Sequence, residues 1–266
     1  MSTHHPDPSH YPSYRKPSSA TAPRFHSTDA RDTSARAFST GASTYHDVRP
    51  GYPDEVVALA GNTGTVVDIG AGTGKLTQAL PHPHVLACDP SADMARQLHQ
   101  NLRIPTWRAT AENTALSDAS IDTITCAQTW HWVDVEAASA EFDRILRPGG
   151  TVVLAWNTID VEADPWILRL TRIMHSGDIL RAGFTPKLAT PWQIDEEVRT
   201  HWVQRLTIPE VHQLMHTRSY WLRSKAAIRE RMTANLNWYL HEHLGFAADD
   251  IVEITYRSDA FLVRRA

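Results

Sequence analysis

Residues 66–76 read VVDIGAGTGKL, and the fold can be worked out from them. Val66, Val67 and Ile69 are apolar and β-branched, the composition of a buried strand's end. Gly70, Gly72 and Gly74 follow at alternate positions. Glycine lets a backbone turn sharply and approach a ligand closely. Residues 75–80 have the composition of a helix start. Strand, glycine-rich turn and helix form the nucleotide-cradling unit of doubly wound α/β folds. Asp68, two residues ahead of the first glycine, bears on which nucleotide it is.

Outward from this unit, strands and helices alternate. Upstream, Pro53 at the first helical position with Asp54 and Glu55 marks a helix start, and Gly61 its end. Downstream, residues 84–88 (HVLAC) read as a second strand ending at Asp89, and Pro90-Ser91 opens a helix through Met94 and Leu98. Residues 104–107 are a weak third strand, 121–127 a fourth, 133–146 a helix, 147–150 a tight turn and 151–156 a fifth strand. This alternation predicts a mostly parallel sheet with helices on both faces. Beyond it the pattern changes. Helices are predicted at 165–174, 209–216 and 226–243, with an irregular stretch at 183–194. A weakly alternating strand is predicted at 201–208, and two last strands at 250–255 and 258–263.

Three segments follow. Residues 1–36 are dense in Pro, Ser and His and too poor in aliphatic residues to offset their conformational entropy, so a disordered tail is expected. Residues 37–266 read as one domain, with 158–245 a helical cap or acceptor-site insertion carried by the sheet.

Composition limits the function. Of 266 residues, 42% are hydrophobic and 21% charged, which suits a sizeable globular core. Net charge is −4, from 26 basic and 30 acidic residues, where a nucleic-acid partner calls for a basic excess. No run nears the roughly 18 apolar residues of a membrane span, and the N-terminus lacks a signal peptide's apolar core. The two cysteines, Cys88 and Cys126, lie in predicted strands and read as core thiols in a reducing, cytoplasmic setting. His241 and His243 stand two apart on a predicted helix and do not share a face, so no metal site is expected there.

The carboxylates choose the cofactor. A nicotinamide fingerprint spaces its glycines G-x-G-x-x-G; here they run G-x-G-x-G behind Asp68, and a carboxylate beside them repels a pyrophosphate. Asp89, twenty-one residues beyond Asp68, closes strand two, where an acid can hold a ribose diol. A ligand with a ribose, no phosphate and a positive end fits S-adenosylmethionine. An NAD-type oxidoreductase is the alternative that the spacing and Asp68 oppose.

Residues 68–74, DIGAGTG, resemble the first motif of class I S-adenosylmethionine-dependent methyltransferases. Asp89-Pro90-Ser91 with Met94, Ala111-Glu112, residues 118–132 and residues 146–150 resemble the family's later motifs. Tyr45 with residues 49–53 (RPGYP), Trp130-His131-Trp132 and Arg218-Ser219-Tyr220 are similar to the type 11 methyltransferase group that includes trans-aconitate methyltransferase. The resemblance implies a Rossmann-like, seven-stranded, mostly parallel sheet. It implies that Gly70 and Gly72 line the methionine and ribose portion, that Asp68 meets the methionine amino end directly or through water, and that Asp89 holds the ribose hydroxyls. Ala111 and Glu112 flank the adenine, although Glu112 could instead cap a helix. Gln128 faces the methionine part, and Tyr45 closes over the cofactor.

Methyl transfer chiefly needs the nucleophile held in line, and a base only for an acceptor not already ionised. His131, after strand four, is the candidate base; its alternative is a wall residue between two tryptophans. The expected reaction is O-methylation of a small-molecule carboxylate or hydroxyl by a monomer or homodimer, with no nucleic acid or membrane partner. A cofactor-binding protein without catalysis is the rival from another class.

Overall fold

The computed structural model describes residues 4–10, 46–175 and 181–266. Tyr45, most of the tail and the domain boundary at residue 37 lie outside the described residues. Of the tail, His4 lies edge-on to Phe246 at 4.7 Å, and its Nε2 is 2.9 Å from the Leu244 carbonyl.

The strands are β1 (Thr65–Ile69), β2 (His84–Cys88), β3 (Thr106–Trp107), β4 (Ile121–Ala127), β5 (Leu146–Ile159), β6 (Trp192–Thr207) and β7 (Ile251–Arg265). They form one sheet in the order β3-β2-β1-β4-β5-β7-β6. The first five in that order are parallel neighbours, while β7 runs antiparallel to both β5 and β6. Among the described residues the helices include α1 (Asp54–Ala58), α2 (Ala92–Leu102), α3 (Val135–Ile145), α4 (Pro165–Ile173), α5 (Ile208–His216), α6 (Ser219–Arg223) and α7 (Ala226–Asn237).

Strand alternation divides the core. Val67, Ile69, Ile124 and Cys126 face α3 through Phe142 and Ile145. On the other face Val66 and Val153 meet Val57 of α1. Burying a side chain such as Phe142 contributes about 1.5–3 kcal/mol. A further core joins the far ends of β5, β6 and β7 to the cap helices through Ile159, Tyr256, Trp166, Leu214, Leu236 and Tyr239. Trp156, Trp166 and Trp192 are all buried in these cores.

Several predicted elements change on folding. Pro53 is the residue before α1 rather than its first. The helix after the glycine turn is one 3-10 turn, Thr77–Ala79, because Pro81 and Pro83 follow too closely for it to continue. Residues 250–255 and 258–263 belong to one strand, β7. β6 is sixteen residues long where only its end is visible in the sequence. Its alternation is hidden by charges that pair across the sheet: Asp195 with Arg264, Arg199 with Asp259, Arg205 with Glu253. Charged side chains are how an edge strand avoids pairing with another chain. β6 lies within residues 158–245, so that stretch contributes an edge of the sheet as well as the helices over it. The helix predicted over 226–243 loosens into a π-helix at Trp238–His243.

Candidate cofactor and acceptor site

The glycine turn sits at the C-terminal ends of β1, β2 and β4. Gly70 and Ala71 donate backbone hydrogen bonds to the Cys88 carbonyl at the end of β2. Gly70 has φ +68°, and a Cβ on it would lie 2.3 Å from the Thr129 side chain. Thr129 Oγ1 donates to the Gly70 carbonyl at 3.0 Å, so the turn after β4 is latched to the glycine turn. Gly74 faces α2, where a Cβ would meet Leu102 at 2.9 Å; packing accounts for it. Gly72 differs from both. It has φ +57°, and nothing stands within 4 Å of where its Cβ would be.

Asp89 borders that open space. Gly72 N donates to its Oδ2 at 2.9 Å and Ser91 N to its Oδ1 at 2.8 Å. A carboxylate accepts about four hydrogen bonds, so capacity remains for hydroxyls of a ligand. Burial pushes its pKa up to about 6, against the pull of the two amides.

Asp68 lies deeper. Thr77 Oγ1 donates to one of its oxygens at 2.6 Å and Thr125 Oγ1 to the other at 2.8 Å. Only 1% exposed, it ties the 3-10 turn to β4 beneath the glycines. Burial raises its pKa to about 6, the threonine hydroxyls oppose the shift, and the Asp89 charge adds to it.

Ala111 is buried, and Glu112 Oε1 accepts the backbone N–H of Asp134, the N-cap residue of α3, at 2.8 Å. The capping alternative for Glu112 is thus realised by one of its oxygens. Their loop has an anchor the sequence did not reveal. Thr114 donates both its backbone N–H and its hydroxyl to Glu141 Oε1, and Arg144 holds the Glu141 carboxyl down at about 2. Gln128 takes φ +52°, a rare conformation for a non-glycine residue and one that clusters at functional sites. Its amide donates to the Asn157 carbonyl.

His131 is the middle residue of the 3-10 turn Trp130–Trp132, two residues past Thr129. Its Nδ1 lies 3.1 Å from Trp156 Nε1. That contact does not suit a general base at Nδ1.

The chain ahead of α1 spans the site. His46 Nδ1 is 3.2 Å from Thr73 Oγ1 of the glycine turn. Gln204 donates to the Val48 carbonyl, Asn157 Nδ2 to the Gly51 carbonyl, and Arg49 to Thr217. Burial, and then the Lys75 charge, lower the His46 pKa. Sequence reasoning missed His46, Thr129 and Asn157; the adjacency of His46 to Tyr45 was the one available signal. Arg229 of α7 donates to the Trp221 and Leu222 carbonyls of α6 and so ties the two helices together. Among the described residues no cluster of three or more His, Cys, Asp or Glu side chains could hold a metal. Nor is any helix there long and apolar enough to cross a membrane.

This sheet order, with a glycine turn flanked by two buried carboxylates, defines a class I, Rossmann-like methyltransferase. The comparisons agree. Residues 67–154 match the methyltransferase domain family. An uncharacterized methyltransferase of Mycobacterium tuberculosis is 34% identical over 235 residues, covering 86% of this chain and 96% of that one. An uncharacterized methyltransferase-like protein of Schizosaccharomyces pombe is 27% identical over 253 residues, covering 87% and 96%. A solved structure described as a type II methyltransferase, from Anaeromyxobacter dehalogenans, superposes with TM-score 0.59 at 22% identity, covering 80% of this chain and 97% of that one. The chain belongs to the methyltransferase family. It is an S-adenosylmethionine-dependent enzyme, and the open space at Gly72 beside a carboxylate with accepting capacity fits that cofactor.

Proposed function

We propose that the glycine turn and its neighbours hold S-adenosylmethionine for methyl transfer to the oxygen of a small-molecule carboxylate or hydroxyl. The observation that carries this is the open space over Gly72 with the Asp89 carboxylate at its border. Bound there, the cofactor supplies an electrophilic methyl group on a sulfonium. Asp89 accepts from the ribose hydroxyls while its two amide bonds keep it in place. Gly70 and Gly72 let the backbone approach. Asp68, fixed by Thr77 and Thr125, acts on the methionine amino end through the turn it supports. Ala111 and Glu112 border the adenine on a loop tethered to α3. Gln128, held by the Asn157 carbonyl at the end of β4, faces the methionine part, and Tyr45 closes over the cofactor beside His46.

A net charge of −4 favours a small acceptor over a nucleic acid. Two buried free thiols suit a cytoplasmic enzyme, working as a monomer or homodimer. Calorimetric titration with S-adenosylhomocysteine tests the cofactor site. Asp89→Ala weakens binding at least tenfold with an unchanged circular dichroism spectrum; unchanged affinity sinks the assignment.

A further inference from the structure

One carboxylate of α3 holds the loop between β3 and β4. Thr114 is fully buried, and each of its polar groups has a partner. Its N–H and its hydroxyl donate to Glu141 Oε1 at 2.8 and 2.6 Å. Its carbonyl accepts the Trp107 indole N–H at 2.8 Å, which closes the loop at its base. Its Oγ1 accepts the Leu116 N–H at 3.3 Å. Glu141, itself buried, takes two further bonds from Arg144, one on each oxygen. Three donors thus converge on Oε1, and Arg144 above all keeps the carboxyl ionised, with its pKa down at about 2. Bonds to an ionised acceptor are roughly twice as strong as neutral ones.

A second bond ties the same loop to the same helix, where Glu112 accepts the N–H of Asp134, the N-cap residue of α3, at 2.8 Å. The chain from Glu112 to Thr114 therefore runs along α3 between two fixed points. The loop begins at the opposite wall of the site. Asp89 N–H donates to the Trp107 carbonyl at 3.3 Å, and the Arg108 guanidinium donates to the Pro90 carbonyl. The loop so bridges the end of β2, where Asp89 stands, and the start of α3. A base carried on a ribose at Asp89 has this loop as its neighbour.

We propose that Glu141 is a positioning residue for base selection: acting through Thr114, it holds the loop of residues 108–113 rigidly enough to tell adenine from other bases. This rests on the cofactor reading above and adds to it the residue that makes the loop selective. A base is read by hydrogen bonds along its edge. Adenine offers an acceptor at N1 and a donor at its amino group, and hypoxanthine inverts both. A hydrogen bond holds over about 2.7–3.2 Å, so a fixed loop matches one pattern and rejects the other. A loose loop shifts to suit either. A carboxylate that served only the packing of α3 would change stability and leave base preference alone.

Calorimetric titration of the full chain with S-adenosylhomocysteine and with S-inosylhomocysteine tests this. The parent favours the adenosyl compound by at least about tenfold, because the wrong base leaves polar groups of the loop unpaired. Glu141→Leu strips Thr114 of its acceptor and brings the ratio to within about threefold of unity, with the loss falling on the adenosyl compound. Glu141→Gln keeps an acceptor oxygen for Thr114; it lowers the Tm through Arg144 but holds the ratio within about threefold of the parent's. Thr114→Val loses only the hydroxyl bond, lowers the ratio by a smaller factor, and decides alone if the leucine variant does not fold. A parent that discriminates, with the ratio unchanged in Glu141→Leu and Thr114→Val, overturns the proposal alone. So does equal weakening of both ligands. A parent that binds both ligands equally overturns it together with the placing of this loop at the adenine. A parent that binds neither overturns the cofactor reading and the proposal with it.

Discussion

β1 and β7 belong to the same sheet but find their partners over different distances along the chain. β1 pairs with β2, nineteen residues on, and with β4, fifty-seven on. β7 pairs with β5 and β6 across separations of up to 111 residues, as Val152 with Val263. The polar groups divide likewise. Around the glycine turn, buried carboxylates are met by neutral donors: threonine hydroxyls for Asp68, backbone amides for Asp89. In the β5–β7–β6 half, the fully buried Asp259 is held at 2.6 Å by Arg199 and at 2.9 Å by Arg257. The first arrangement leaves the carboxylates with raised pKa values, because neutral donors do not cancel the cost of burying the charge. The second neutralises its charge internally and serves the fold.

That contrast is sharpest at Asp259. Asp259→Ala removes the carboxylate both guanidiniums share, and breaking a buried pair costs about 3–5 kcal/mol. Urea denaturation measures it, and the loss appears with or without cofactor. A loss below about 1 kcal/mol would put the two halves on an equal footing.

Next come two glycines of one turn. Gly70→Ala combines left-handed backbone strain with a 2.3 Å approach to Thr129, for about 2–4 kcal/mol of stability in all. Gly72→Ala meets no atom and pays only the backbone term of about 1–2 kcal/mol, but it fills the space assigned to the cofactor. The expected outcome is a lowered Tm for Gly70→Ala, and for Gly72→Ala a folded protein with at least tenfold weaker S-adenosylhomocysteine binding. Equal effects on both properties would refute the division of labour between them.

A smaller effect depends on pH. The folded Asp68 pKa of about 6 lies above its unfolded value of about 3.9. The folded state therefore binds the proton more tightly, and stability falls as pH rises from about 4 to about 6, then levels off. Asp68→Asn escapes this, gaining up to about 3 kcal/mol over the parent above about pH 6 and nothing below about pH 4. A gain that does not vary with pH would contradict the burial origin of the shift. Affinity for the cationic S-adenosylmethionine rises between about pH 5 and pH 7, as Asp68 and Asp89 ionise in the folded protein.

How far the sequence could be read follows the same divide. Strand, glycine turn and the second acid were legible because their signals are local: β-branched runs, glycine spacing and a strand-end carboxylate close together in the chain. The family resemblance, read over about residues 37–264 and strongest over 45–157, followed from those motifs. β6 was half hidden, because Asp195, Glu197, Arg199 and Arg205 look like loop residues until their partners are known. Thr129 gave no signal at all. Its role exists only because Gly70, fifty-nine residues earlier, lies against it.

The sequence alone determined the alternation of strands and helices, the glycine turn and the pair of acids that bracket it. Each depends on period, backbone freedom or charge within a short window. Tertiary structure alone decided that Asp68 is buried under the turn, that Glu112 spends an oxygen on the start of α3, and that the Trp156 indole meets His131 Nδ1. Those depend on which side chains meet after folding: a hydrogen bond's donor and acceptor are set by the partner across the sheet, and no local pattern in the chain encodes it.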